Sequence, residues 1–298
     1  MPRHSPFTAL CTKVASLGRP SRADLHIHTT ASDGEFTPSQ VVALARQAKL
    51  AAVAITDHDT FAGLPEAVTS AHEHLEVIPG VEITAEFAGR EVHLLGYFTR
   101  LDHPELNAAL EQVRMSRRER FRDYLDKLAQ RGDAIPSDRA KLVEDVASSL
   151  GRRHVARLLI ACGFAATIDE AFRRHFAPLR GRIVPKRRVP LDEAIGLVHA
   201  AGGCTSLAHP PPDLEQADFR RMKGMGLDAL ESEYAWRRSA PAKRLREIAA
   251  RLGLLVTGGS DCHGPHPVRR CIGSVTIGAE AVERLRELTA SCEPSRVP

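Results

Sequence analysis

Short apolar runs that end in histidine or carboxylate side chains alternate with helix-patterned stretches towards both ends of this chain. That alternation is its strongest constraint on fold. "ADLHIH" reads as a strand and "TPSQVVALARQAKL" as a helix, with Pro38 near its start and apolar residues at helical spacing. "AAVAITDHD" is a second strand, "GLPEAVTSAHEH" a helix, and "LEVIPGVEIT" and "REVHLLGYF" two further strands. The rhythm returns late in the chain. "LDEAIGLVHAAG" is a helix, "GCTSLAH" and "LDALESEY" are strands, "APAKRLREIAARLG" is a helix, and "LLVTGGSDCHG" is a strand with its loop. Parallel strands need crossover helices, so this repetition marks a parallel sheet or barrel. No G-x-G-x-x-G follows a strand, which weighs against the doubly wound alternative. The chain therefore reads as α/β, a (β/α) barrel or a distorted relative of one.

Residues 102–188 break the rhythm. "HPELNAALEQVRMSRRERFRDYLDKLAQRG" is a long helical stretch closed by Gly132, and "DRAKLVEDVASSL", "RRHVARLLIACG" and "TIDEAFRRHF" follow as helices. This predicts a helical insertion, or cap, between two barrel segments at residues 23–101 and 189–280, with a C-terminal helix and tail at 281–298. Residues 1–22 hold only a weak, interrupted apolar stretch and read as a flexible leader or a misplaced start, not a signal peptide. No apolar run approaches the roughly 20 residues that span a bilayer. Cys11, Cys162, Cys204, Cys262, Cys271 and Cys292 lie far apart without a C-x-x-C, so reduced thiols in a cytoplasmic protein are expected. The formal charge of +4 predicts no nucleic-acid partner by itself. The arginine-rich runs "RMSRRERFR", "GRRHVAR", "RRHF" and "RGRIVPKRR" read either as solvated helix faces or as an anion-binding surface.

Polar side chains gather where the strands end. His26 and His28 close the first strand, Asp57 and His58 follow the second, and Glu82 follows the third. His93 lies in the fourth, His209 follows "TSLA", and Asp261 and His263 follow "LLVTGGS". The C-terminal ends of barrel strands share one rim, and that rim carries the active site. Residues distant in sequence thus converge on one face. Singly, each histidine reads more simply as capped or satisfied. Together they read as a metal site. Residues two apart in a strand share a face, so His26 and His28 can bind one ion together, and Asp261 and His263 repeat that spacing in a loop. Imidazole nitrogen mixed with carboxylate oxygen suits manganese, zinc or iron. Nine candidates exceed what one ion uses, so two or three divalent ions are expected. Asp57 and Asp59 read either as loop caps or as partners that orient the histidines, and Gly258 and Gly259 as a tight bend towards the metals.

In this order, "DLHIHTTASDG", "ITDHDT", "PGVEIT", "VHLLGY", "LAHP" and "GGSDCHG" resemble the polymerase and histidinol phosphatase (PHP) family of metal-dependent phosphoesterases, over about residues 23–275. The resemblance implies a distorted seven-stranded (β/α) barrel, usually with three metals at its rim. It implies that His26, His28, Glu82 and Asp261 hold one ion and that Glu82 bridges to a second held by His93 and His209. Asp33, His58 and His263 would hold the third. Every ligand position of the family pattern is filled, which implies a catalytic member. "RMSRRERF" and "GRRHVAR" resemble the cap of members that hydrolyse nucleoside 3',5'-bisphosphates, some of which also trim short RNA from the 5' end. On that resemblance Arg117, Arg118 or Arg120, with Arg153 and His154, grip the phosphate that is not cut. Arginine suits the task because its planar fork binds phosphate through parallel hydrogen bonds. Pro211 and Pro212 after "LAHP", and the "YAWRRSAP" stretch, depart from the family pattern, so substrate identity stays more open than chemistry.

The expected activity is hydrolysis of phosphomonoesters of nucleotide-like substrates by a metal-bound hydroxide, with no separate Ser or Cys nucleophile. The expected partner is a small phosphate ester or a short oligonucleotide, with no membrane and no obligate protein partner. Two other readings compete. A histidinol-phosphate phosphatase would need an acidic partner for the amine, for which Glu231 or Glu233 could serve, although the basic insertion opposes it. A non-catalytic metal-holding module of a polymerase would need a separate polymerase chain.

Overall fold

Three parallel strands open the sheet: β1 (Arg22–Ile27), β2 (Ala52–Ile55) and β3 (Glu76–Phe87), with α1 (Pro38–Gln47) and α2 (Leu64–Ser70) as crossovers. The structure is a computed structural model that describes residues 21–71, 75–236 and 238–290. Most of the expected leader and the tail from residue 291 lie outside the described residues. The described chain already pairs at Arg22, one residue inside the expected leader. α1 starts where the sequence places it because Thr37 and Gln40 cap each other: Thr37 Oγ1 accepts from Gln40 N at 3.2 Å, and Gln40 Oε1 from Thr37 N at 2.9 Å.

At Ala88 and Gly89, both at positive φ, the chain makes a two-residue hairpin into β4 (Arg90–Tyr97), which runs antiparallel to β3. β6 (Cys204–Ala208) pairs antiparallel with β4, and β7 (Ala229–Glu233) and β8 (Leu255–Gly258) follow in parallel. Just beyond β8, Cys262 pairs with Ile27, and His28 N donates to Cys262 O at 3.0 Å, which closes the rim. The order β8-β7-β6-β4-β3-β2-β1 is thus a distorted seven-stranded barrel. Two-residue strands β5 (Val189–Pro190) and β9 (Ile277–Gly278) attach to β3 and β1.

Two expectations change. Glu82 does not follow the third strand; it lies inside β3, which runs on to Phe87. His93 reaches the same rim from the first half of β4, because that strand points the other way. Helices α7 (Leu191–Ala200), α8 (Gln216–Gly224), α9 (Ala240–Leu252) and α10 (Ala279–Ala290) accompany the later strands. Branched residues of β2 pack outwards on α1 and α2, with Val53 and Ile55 against Val41, Val42 and Leu64. Ala23, Leu25, Ala52, Ala54 and Tyr97 share a cluster with Val282 and Leu285 of α10. No disulfide joins Cys162, Cys204, Cys262 or Cys271; Cys11 and Cys292 lie outside the described residues. Among the described residues no helix is long and apolar enough to cross a membrane.

Between β4 and β5 the described chain is helical: α3 (Pro104–Ala129), α4 (Ser137–Val146), α5 (Arg152–Ala161) and α6 (Ile168–Ala171). α3 buries Leu106, Leu110, Val113, Arg117, Phe121, Tyr124 and Leu128, a stripe at helical spacing. The first three join the barrel core and the last three a separate cluster with α5. Arg117 sits at the changeover. Its Nε donates to Asp59 Oδ2 at 2.7 Å and its NH2 to Thr84 Oγ1 at 2.8 Å; NH1 reaches Leu150 O at 3.2 Å. Arg117 is 7 % exposed and Asp59 fully buried. Burial opposes the charge on Asp59, but Arg117 and the Thr84 N–H hold its carboxyl below the usual range. Removing one partner of such a pair strands the other in low dielectric, at about 3–5 kcal/mol. R117M should therefore lower the thermal unfolding midpoint by several degrees, read by circular dichroism, whereas an unchanged midpoint would contradict the joint.

Candidate metal centre

Six of the chain's fourteen histidines gather at the rim of the barrel. β1 delivers His26 and His28, and its register on β2 shifts between Asp24 and Ile27, a local irregularity of the kind that re-aims side chains beside sites. His58 extends β2 and bridges to Glu82 in β3. β4 supplies His93, the end of β6 His209, the loop after β8 Asp261 and His263, and the loop after β1 Asp33. His209 and Asp261 hold positive φ of 26° and 51°, a conformation non-glycine residues adopt at a cost and one that clusters at functional sites.

All nine expected ligand residues meet here, with Glu82 at the hub. Its Oε1 lies 2.8 Å from His93 Nδ1, 3.0 Å from His209 Nε2 and 3.4 Å from His26 Nε2. Its Oε2 lies 2.8 Å from His58 Nδ1 and 3.3 Å from His28 Nε2. Asp33 Oδ1 is 3.3 Å from His263 Nε2 and 3.8 Å from His58 Nε2. Asp261 Oδ1 is 3.2 Å from His28 Nε2, 3.3 Å from His263 Nδ1 and 3.6 Å from His26 Nε2. Burial works against each carboxylate charge, yet the surrounding histidines hold Asp33, Glu82 and Asp261 well below the usual carboxylate range. Burial pushes His58 down to about 4, so its ring is neutral.

The residues fit divalent cations on a direct test. His26 Nε2, both ring nitrogens of His28, His58 Nδ1, Asp33 Oδ1 and Glu82 Oε2 are buried without a hydrogen-bond partner. Native proteins rarely leave buried polar atoms unpaired, and these converge on one another. Three overlapping sets bring ligand atoms within 4.8 Å: His26, His28 and Glu82; His28, Asp33, His58 and His263; and His58, Glu82 and His93. The expected partition differs in that His28 belongs to two sets and His58 also joins Glu82 and His93. His209 and Asp261 stand beside these sets through Glu82 and His28.

Other residues hold the ligands in place. Glu231, fully buried, contacts His26 Nδ1 at 2.9 Å and accepts from His209 N at 2.6 Å. Asp24, raised to about 6 by burial, accepts from Ser260 N and Gly273 N, both at 2.9 Å. Asp57 and Asp59 do not orient the histidines through their side chains. Asp57 takes Thr29 N at 2.7 Å, Thr29 Oγ1 at 2.6 Å and Ser32 Oγ at 2.5 Å, which fixes the loop after β1. Asp59 takes Thr84 and Arg117. Gly259 is needed for space more than for a bend: a Cβ there would lie 2.4 Å from His26 N.

The expected phosphate-gripping residues separate. Arg117 is committed to Asp59, as above, and His154 caps its own helix, Nδ1 accepting from Gly151 N at 3.0 Å. Burial lowers His154 to about 4. Arg118 reaches Glu144 O at 3.4 Å, and Arg120 donates to Val184 O. Arg153 lines an open cleft of about 930 Å³ that meets the metal centre at Asp261 and His263; Arg157, Arg269 and Arg270 line it too. Arg153 Nε and Arg157 Nε are buried without partners. Arg157 NH2 also donates to Asp33 O at 2.6 Å. Sequence reading passed over Arg157, Arg269 and Arg270. Arg157 lies one helical turn beyond Arg153, a signal that was present, whereas the last two enter only through a folded loop.

Known proteins resemble this chain along most of its length. The PHP domain model matches residues 24–230. The chain is 32% identical over 252 residues, 82% of its length and 86% of the relative's, to the 5'-3' exoribonuclease Rnm of Salmonella typhimurium. It is 30% identical over 259 residues, 84% of its length and 90% of the relative's, to the 3',5'-nucleoside bisphosphate phosphatase of Chromobacterium violaceum. A solved structure from Bifidobacterium adolescentis, described as a metal-dependent phosphoesterase, superposes with a TM-score of 0.82 at 32% identity, covering 90% of this chain and 96% of that one.

Ligands that bind only the folded state stabilise it by mass action, about 2.7 kcal/mol at a hundredfold excess over Kd. Manganese added to chelator-treated protein should raise the unfolding midpoint in differential scanning fluorimetry, and E82Q should lose most of that rise. A rise of equal size in E82Q would remove Glu82 from the centre.

Proposed function

The chain belongs to the PHP family of metal-dependent phosphoesterases, and from that premise we propose that this hydrolase cleaves phosphomonoesters of nucleotide-like substrates, nucleoside 3',5'-bisphosphates above all, and takes short RNA from the 5' end. We assign the centre two or three divalent ions, with manganese, zinc and iron as the candidates. The observation that carries the substrate reading is the arginine-lined cleft against Asp261 and His263: about 930 Å³ is far more room than one phosphate needs and is of the size that takes a whole small ligand.

Bound divalent ions would supply positive charge to a phosphate and lower the pKa of water. The chain's own residues do the rest. Asp33, Glu82 and Asp261 would offer ionised oxygens to the ions, and the histidines ring nitrogens that give up any proton on ligating; the neighbouring carboxylates otherwise raise His28 and His93 to about 9. Glu231 keeps His26 and the His209 backbone in place. Arg153, with its buried Nε unpaired, receives the phosphate that is not cut, and Arg157 stands beside it. Arg120, Arg152 and Lys186 line a second hollow of about 40 Å³ and add positive charge near the joint. Cys262 is unsuited to nucleophilic attack, since burial pushes its thiol up to about 12 and it donates to Gly264 O at 3.5 Å.

The two acidic residues that a histidinol-phosphate reading would use are engaged elsewhere. Glu231 is buried on His26, and Glu233 accepts from Arg246 and from Ser232 Oγ. No acidic group is thereby left from β7 to meet an amine.

Phosphate release should be measured with a nucleoside monophosphate, a 3',5'-bisphosphate, a dinucleotide and a longer RNA, before and after manganese is restored to stripped protein. Turnover is expected only with metal and best with the bisphosphate. R153M should raise KM for the bisphosphate at least tenfold and leave the monophosphate nearly unchanged. Equal losses on both would show that Arg153 does not read the second phosphate.

A further inference from the structure

Asp261 presents one oxygen to the histidines and the other to a pair of donors. Tyr234 Oη donates to Asp261 Oδ2 at 2.8 Å, and Arg270 NH1 donates to the same atom at 2.8 Å. Arg270 NH2 also donates to Tyr234 Oη. We infer that Tyr234 and Arg270 form a two-donor clamp that fixes Asp261 as a one-oxygen ligand, with Oδ1 turned to His26, His28 and His263. The inference rests on the metal-centre reading above and deepens it.

The argument is one of lone pairs. A carboxylate oxygen accepts about two hydrogen bonds. Both places on Oδ2 are filled, so Oδ1 alone keeps free lone pairs, 3.2 Å from His28 Nε2 and 3.3 Å from His263 Nδ1. Asp261 is 5 % exposed and sits in left-handed backbone. The donors are themselves held. The Arg270 guanidinium lies 5.0 Å from the Tyr234 ring centre, and that ring packs 4.8 Å from Trp236 and 5.4 Å from His209. Arg269 NH1 reaches Ala235 O at 3.3 Å, which ties the loop after β7 to the turn Val268–Arg270. The "YAW" that opens the "YAWRRSAP" stretch thus finds a task. Tyr234 and Arg270 are positioning residues: they act on the metal through Asp261. Arg270 also lines the cleft, but it is engaged by Asp261, whereas Arg153 is not.

The sign of the effect separates the clamp from general electrostatics. Removing a cation near a cation site relieves repulsion and should tighten metal binding. Removing a clamp should weaken it, and hydrogen-bonded partners of metal ligands commonly change affinity about 10–100-fold. Manganese affinity of metal-stripped protein, measured by isothermal titration calorimetry, is expected to fall at least tenfold in both Y234F and R270M, with R270K between R270M and the parent. Y234F keeps the ring packing and changes no charge, so its fold is safeguarded, and circular dichroism of the stripped variants checks this. Parental affinity in either variant, or tighter binding in R270M, overturns the clamp. A parent protein that takes up no manganese overturns the metal centre itself.

Discussion

A carboxylate buried among five histidine rings is the constraint on which this molecule is built. Glu82 lies within 3.4 Å of nitrogens from His26, His28, His58, His93 and His209. So many polar atoms can share a dry pocket only if positive charge balances them, and several remain without hydrogen-bond partners. The surrounding architecture answers that demand. β3 extends past the end of β2 so that Glu82 reaches the centre, β4 reverses direction to bring His93 alongside, and the chain after β8 folds back on β1 to close the ring.

The second organising contact lies where the helical segment meets the barrel. α3 packs its first half on barrel residues and its second half on helical ones, and Arg117 stands between them on a buried aspartate. Asp59 follows His58 directly, so the joint and the metal centre share one short loop. The cleft opens between α5 and the loop that carries Asp261, His263 and Arg270. The cleft and the candidate metal centre therefore share the loop after β8 that carries Asp261 and His263.

Much of this was legible in residue order. Apolar runs that end in histidine or carboxylate announce strands feeding one rim, and the β1, β2, β6 and β8 segments fall where that pattern puts them. The stripe of α3 was legible as well: counting in steps of three and four from Leu106 passes through Arg117, which marks that arginine as inward-facing. The resemblance of the basic runs to a family cap, taken without the stripe, turns it towards substrate. The antiparallel course of β4 was not legible, since alternation of apolar residues does not encode strand direction. Nor were the pairings of Glu231 with His26 and of Tyr234 with Asp261, which cross from one strand end to another, or of Arg270 with Asp261, which depends on how the loop after β8 folds back.

By itself, then, the sequence determined which chemistry was available: strand-forming segments, their helical partners, and nitrogen and oxygen ligands at strand ends. Those properties are local, set by side-chain periodicity and by the identity of the residue at each turn. The tertiary structure alone decided which oxygen of each carboxylate faces the histidines, which arginines stay unpaired, and which aspartates brace loops instead of ligands. Such outcomes depend on distances of a few ångströms between residues that only folding brings together.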